Sequence, residues 1–397
     1  MFETISAAPP DPILGLTEAF LNDPNPEKVN LAVGVYQDDA GQTPILESVL
    51  RAERLVASRE RSKTYLGIAG LPGYAQATQK LLAGADHEAI RAGRLATCQT
   101  PGGTGALRVS ADFLAQQYPH STVWLSRPTW PNHEGVFTAA GLPCRQYAYL
   151  APGNRELHFA AMTNDLNQAA PLDVVVLHAC CHNPSGVDLT PEQWRAVAQI
   201  AREKSLILVV DFAYQGFGDG IEEDALAVRI LLDEQLEFFV CNSYSKNFGL
   251  YAERVGAVTA VCAERSSAAA VLSQLKAAAR SNYSNPPKFG AAIVDAILES
   301  AELRPMWVEE VAAMRNRIHA MRRLFVAKMK DRLPERDFSF LLDQRGMFSF
   351  SGLTPLQVDE LKTKHGIYIV GSGRINVAAI LPSNIDRLCD AVASVLA

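Results

Sequence analysis

The chain of 397 residues lacks any apolar run near the roughly 18 residues that a membrane-spanning helix requires. Met1 to Pro12 holds no basic segment followed by an apolar run, so no signal peptide is expected and the protein reads as soluble and cytoplasmic. There is no Cys-x-x-Cys pair among the seven cysteines Cys98, Cys144, Cys180, Cys181, Cys241, Cys262 and Cys389. Their number is odd and most lie in or beside apolar stretches, which points to reduced, buried thiols rather than a disulfide framework. Positive charge is not in excess either. A net charge of −6 argues against a general nucleic-acid binder, although it leaves room for a local basic pocket. Internal repeats and low-complexity tracts are missing.

What remains is ordinary globular material, 48% hydrophobic and 20% charged, long enough for about two domains. The three prolines of Met1 to Pro12 predict an extended arm, with a short amphipathic helix over Ile13 to Asn22. Asn30 to Tyr36 reads as a strand in which Gly34 marks a close backbone approach to a ligand. Helices at Ile45 to Arg59 and Pro72 to Leu82 open an alternating pattern. Strands are predicted at Leu95 to Thr100, Thr122 to Ser126, Asp173 to His178, Leu206 to Asp211, Phe238 to Asn242 and Val255 to Val261. Several are apolar on both faces, as in a mainly parallel sheet with helices on each side. Thr190-Pro191-Glu192-Gln193 carries a capping-box pattern. A long helix near Met306 to Met329 leads to short strands at Phe338 to Leu342, Met347 to Ser351, Ile367 to Val370 and Arg374 to Val377. These surround a helix starting at Thr354 and form a smaller α/β domain.

Four segments follow predicted strands, where open α/β sheets bind their ligands. Pro101-Gly102-Gly103-Thr104-Gly105 precedes a helix; its glycines admit an anion to backbone N–H groups, or it is simply a flexible turn. It is not a P-loop, because the Gly-Lys-Ser/Thr ending is missing. His178-Ala179-Cys180-Cys181-His182-Asn183-Pro184 lacks the spacing of a structural zinc site, so no metal is expected; it is either a turn with buried thiols or a loop presenting the Asn183 amide. Asp211 ends an apolar strand and needs a cationic partner, a structural arginine or a protonated ring nitrogen, with the Tyr214 hydroxyl nearby. Finally, Lys246 lies between Ser243, Ser245 and Arg254. A buried lysine loses its charge readily, and a neutral amine is what Schiff-base formation needs. A phosphorylated aldehyde would use all four segments, and pyridoxal phosphate fits that description.

The run Ser243-Tyr244-Ser245-Lys246-Asn247-Phe248-Gly249-Leu250-Tyr251-Ala252-Glu253-Arg254-Val255-Gly256 resembles the lysine signature of class I aminotransferases. Asn183-Pro184-Ser185-Gly186, Asp211-Phe212-Ala213-Tyr214-Gln215-Gly216-Phe217 and Ser281-Asn282-Tyr283-Ser284-Asn285-Pro286-Pro287 resemble it too, and the likeness to the Iα subgroup covers the whole chain. The resemblance implies the α/β fold type I of pyridoxal-phosphate-dependent transferases: a mainly parallel central sheet with helices on both faces, plus a smaller α/β domain. The implied divisions are an arm over 1–12, a small domain over 13–44 and 313–397, and a large domain over 45–312. It also implies transamination between amino acids and 2-oxo acids, aspartate with 2-oxoglutarate first and aromatic donors as the alternative.

By the same resemblance Lys246 forms the Schiff base and moves the α-proton, and Asp211 keeps the ring nitrogen protonated. Asn183 and Tyr214 hydrogen-bond the ring oxygen and Trp130 stacks on the ring. Gly102, Gly103, Thr104, Ser243, Ser245 and Arg254 bind the phosphate, joined by Tyr65 from a second subunit. Arg374 takes the substrate α-carboxylate, with Gly34, Asn183 and Trp130 close to the substrate. Arg280, also lent by a second subunit, takes the side-chain carboxylate, since a planar guanidinium suits bidentate carboxylate recognition. A homodimer with shared sites is therefore implied, and closure of the small domain over the substrate. Ala252, Ser185, Gln37 and Thr64 depart from the family pattern, the last two near the substrate entrance.

Overall fold

Runs that are apolar on both faces become the central strands. The computed structural model describes residues 2–7, 14–153 and 155–396. In chain order its strands are β1 (Val29–Asn30), β2 (Leu95–Pro101), β3 (Val123–Arg127), β4 (Cys144–Ala148), β5 (Val174–His178), β6 (Ile207–Phe212), β7 (Phe238–Ser243), β8 (Val255–Val261), β9 (Phe348–Phe350), β10 (Ile367–Tyr368) and β11 (Arg374–Asn376). The chain divides into a larger unit, Pro44–Asn316 with Gln344–Gly346, and a smaller one made of Met1–Thr43, Arg317–Asp343 and Met347–Ala397. The helix Leu303–Arg332 contributes residues to both.

The larger unit is built on a seven-stranded sheet in the order β2-β8-β7-β6-β5-β3-β4. All neighbours run parallel except β8, which is antiparallel to both β2 and β7. Val174, Val175, Val176 and Leu177 are each at most 2% exposed. Burial of that kind contributes roughly 1.5–3 kcal/mol per side chain relative to exposure. The helix Gly102–Gln117 lays Ala106, Leu107, Val109 and Leu114 into the same core as Cys241 and Val258, so its first turn starts directly at the end of β2. Thr190 and Gln193 do form a reciprocal capping box at the start of the helix Pro191–Lys204. Among the described residues no helix is long and apolar enough to cross a membrane.

Several expectations change. Of the segment Asn30 to Tyr36, read as a strand, only Asn30 lies in one, the two-residue β1 Val29–Asn30. Beyond it the carbonyls of Ala32, Val33 and Val35 accept from the side chains of Arg374 and Asn376, so side chains take the place of a ladder. Phe338 to Leu342 is a 3-10 turn, Ser339–Leu342, with Ser339 N–H held by Asp337. The edge strand β4 was not expected, because Arg145 and Gln146 interrupt its apolar pattern. Of the expected arm, Phe2–Thr4 forms a short 3-10 turn and Phe2 and Ile5 are exposed. Residues 1 and 8–13 lie outside the described residues, including the expected helix start at Ile13; the helix itself runs over Leu14–Asn22.

Candidate active site

Strand register gathers the candidate residues of the larger unit. His178 pairs with Asp211, Asp211 with Cys241, Ser243 with Gly256, and Pro101 with Val255. The turns leaving β2, β5, β6 and β7 are thereby brought to one end of the sheet.

Gly102 opens its helix at φ +74°, a conformation costly for any side chain. A Cβ there would stand 2.9 Å from the central carbon of the Arg254 guanidinium. A Cβ on Gly103 would stand 3.0 Å from that of Ser243. The hydroxyl of Ser243 donates to that of Ser245 (3.1 Å), and Arg254 Nη1 donates to Ser245 Oγ (3.3 Å) and to the Tyr251 carbonyl (3.0 Å). Half-buried Thr104 lies in the same first helical turn. Helix N-terminus, hydroxyls and guanidinium together make a cradle for a tetrahedral anion.

Asp211 is 6% exposed and accepts from His133 Nε2 at 3.0 Å, while His133 Nδ1 meets Thr129 Oγ1 at 2.8 Å. Burial alone would raise the Asp211 pKa. The hydrogen bond from His133 and the charges of His133, His178 and Lys246 outweigh it and hold the carboxyl below its ordinary value. The partner is therefore a histidine and not the structural arginine allowed for. His178 packs beside His133 with ring centroids 5.1 Å apart, and burial drives its own pKa well down.

Lys246 is half-buried rather than buried, with Nζ 4.8 Å from the centroid of the Tyr214 ring. Asn183 Nδ2 donates to the Tyr214 hydroxyl at 3.3 Å. Trp130 stands edge-on to His133 at 5.4 Å, in the segment that also supplies Thr129. Contacts thus join Lys246, Tyr214 and Asn183 in one set and Asp211, His133 and Trp130 in another, and the charge of Lys246 acts on Asp211 across them. His133 was given no role from the sequence; its signal is a histidine three residues after Trp130, in the first turn of the helix Asn132–Ala139.

Tyr65 is 91% exposed. Arg280 is exposed near the end of the helix Arg265–Asn282 and donates to Ser284 Oγ. In the smaller unit Arg374 is buried, its guanidinium 4.2 Å from the Phe348 ring centroid. At Gly34, where an approach to a ligand was expected, the close neighbour is that same ring: a Cβ would come within 2.8 Å of Phe348 Cζ. Among the described residues, two groups have donor atoms within 4.8 Å of one another, His133–His178–Asp211 and Cys180–Cys181–Asp224. In the first, the His133–Asp211 pair is already a hydrogen bond. In the second, burial pushes the Cys180 thiol well up, and Asp224 accepts from Gly216, Gly218 and Asp219 N–H groups.

The sequence profile of Aminotransferase class I and II matches residues 26–392. The chain belongs to this aminotransferase family. It is 51% identical over 396 residues to the aspartate aminotransferase of Escherichia coli (strain K12), spanning 100% of both chains. It is also 45% identical over 397 residues to the aromatic-amino-acid aminotransferase of the same organism, again over 100% of both. A crystal structure of the Burkholderia pseudomallei aromatic-amino-acid aminotransferase, covalently bound to pyridoxal phosphate, superposes with a TM-score of 0.97 at 48% identity and covers 100% of each chain. The family depends on pyridoxal phosphate, and the aminotransferase fold of the chain carries a site that fits it. The space that a Cβ on Gly102 would take is left open beside Arg254, and the amine expected to face the aldehyde acts by its charge on the carboxylate expected to face the ring.

Proposed function

We propose that this aminotransferase transfers the amino group of L-aspartate to 2-oxoglutarate, reversibly, giving oxaloacetate and L-glutamate. The full-length identity of 51% with an aspartate aminotransferase carries the reading. The 48% identity with the aromatic-amino-acid enzyme from Burkholderia supports a second one, in which tyrosine and phenylalanine also serve as donors.

Bound pyridoxal phosphate supplies an aldehyde for amines and a ring that absorbs the electrons released at the substrate α-carbon. The glycine loop, Thr104, Ser243, Ser245 and Arg254 hold the phosphate. Asp211, kept anionic by His133, holds a proton at the ring nitrogen. Lys246 is the amine that would hold the aldehyde in the resting enzyme, and its Nζ would carry the α-proton away and back. Asn183 and Tyr214 fix the ring oxygen, and Trp130 covers the ring. Arg374 receives the α-carboxylate, with Gly34 beside it, and Arg280 receives the side-chain carboxylate.

The exposure of Tyr65 and Arg280 supports a homodimer in which each copy lends these two side chains to the other. We assign 1–12 to an arm, 13–44 with 313–397 to a small substrate-side domain and 45–312 to the cofactor domain. The cytoplasm is the compartment that suits reduced thiols. A panel of amino donors with 2-oxoglutarate as acceptor tests the reading: kcat/KM should be highest for aspartate, and a clear preference for phenylalanine would overturn it.

A further inference from the structure

The loop that presents Asn183 is clamped from outside the site by a carboxylate. Asp188 accepts the Cys181 N–H on Oδ2 at 2.7 Å and the His182 N–H on Oδ1 at 2.8 Å, the two peptide groups directly before Asn183. Cys181 is held there at φ +52°, an unusual conformation for a side-chain-bearing residue. A three-residue segment of the larger unit, Gln344–Gly346, closes over the same loop, and the residues on either side of it belong to the smaller unit. Arg345 N–H donates to the Gly186 carbonyl at 2.7 Å, and a Cβ on Gly346 would come within 2.9 Å of Cys181 Sγ. The Arg345 side chain pairs with Asp219 (Nε to Oδ2, 2.9 Å) and lies in the field of Asp188.

The surroundings of Asp188 oppose its charge. The residue keeps some surface, but its carboxylate is enclosed. Burial and the neighbouring Asp224 push its pKa up to about 6, against the two N–H groups and Arg345, which pull it down. Without the guanidinium, two carboxylates would face one another in a turn rich in backbone donors.

We propose that Arg345 is a positioning residue: its guanidinium, anchored on Asp219, and its N–H, bound to the Gly186 carbonyl, brace the Asp188-clamped backbone that carries Asn183 to Tyr214. The consequence for the reaction rests on the proposed role of Asn183, whereas the clamp does not. The Arg345–Asp219 pair has side chains 40% and 55% exposed, so it contributes little to global stability. The effect of losing Arg345 is therefore local. The other groups facing Asp188 are Asp224, the Cys180 and Cys181 thiols, Tyr149 and His182. Burial holds the Cys180 thiol and the Tyr149 phenol protonated, and pushes His182 down to about 3. The Asp224 carboxyl is raised as well.

Amide hydrogen exchange on the holoenzyme tests this. In Arg345→Gln the amides of Cys181 and His182 should exchange about tenfold faster at neutral pH, the scale of one weakened bond to a charged group. Protection in β5 and the melting temperature should stay unchanged. Arg345→Lys should restore most of the protection, and Asp219→Asn should give a smaller increase of the same pattern, which carries the test if Arg345→Gln does not fold. Because the closed loop raises the Asp188 carboxyl to about 6, wild-type protection of these two amides, corrected for intrinsic exchange, should rise rather than fall as pH is lowered through that value. Unchanged exchange in both variants, or an increase shared equally by Val174–His178, would overturn the proposal. Neither result depends on which amino acid is the donor.

Discussion

Gly102→Ala offers a test of the phosphate cradle that can be worked through from the structure. The new Cβ would stand 2.9 Å from the Arg254 central carbon and closer still to one of its nitrogens. Carbon contacts settle near 3.5–4.0 Å, so the guanidinium must retreat by about 0.6–1.1 Å. At φ +74° the alanine also carries left-handed strain of about 1–2 kcal/mol, which appears as lost stability. Arg254 would leave Ser245, only 3.3 Å away, and with it the position from which it meets a phosphate. One charge-assisted bond of about 1.5–3 kcal/mol corresponds to a roughly 10- to 150-fold weaker cofactor. Titration of the apo protein with pyridoxal phosphate, followed by absorbance, measures this. A dissociation constant within about twofold of wild type would refute the placement of Arg254 at the phosphate, since twofold is well below one such bond.

Other outcomes follow from single contacts. In His133→Leu, burial acts on Asp211 without its main counterweight, so its pKa rises. The stability from its depressed pKa is present above the ordinary carboxylate range and is lost as pH falls through the lower folded value; the variant should lose activity at a higher pH, read from the kcat/KM profile. Arg280→Val should cut kcat/KM for aspartate by about 100-fold while sparing phenylalanine, because one bidentate carboxylate partner is removed. Thr354→Ala breaks the capping box with Gln357 and should cost about 1 kcal/mol in a urea melt, with kcat unchanged.

The parts of the fold that could be read in advance are those where local pattern and burial agree. Val174 to Leu177 and Val255 to Val261 are apolar on both faces and occupy the sheet interior. The reversed direction of β8 is invisible in its sequence, since an antiparallel central strand has the same composition as a parallel one. Asn30 to Tyr36 misleads because its carbonyls are satisfied by Arg374 and Asn376, more than 300 residues later, an arrangement no local window contains. The placement of Lys246, Asp211 and Asn183 toward one end of the sheet could be read because each lies at the end of an apolar strand or in the turn that follows it. His133 could not, since its meaning depends on reaching Asp211 from a different helix. The clamp by Asp188 and Arg345 likewise joins segments with no common motif.

The most direct test of the account is reduction of the holoenzyme with borohydride followed by peptide mapping. Lys246 is the amine that the account places against the aldehyde, above the Tyr214 ring. The pyridoxyl mass should appear on the peptide carrying Lys246, and on that peptide alone. A label on any other lysine, or a yellow holoenzyme that reduction leaves unlabelled, would contradict it.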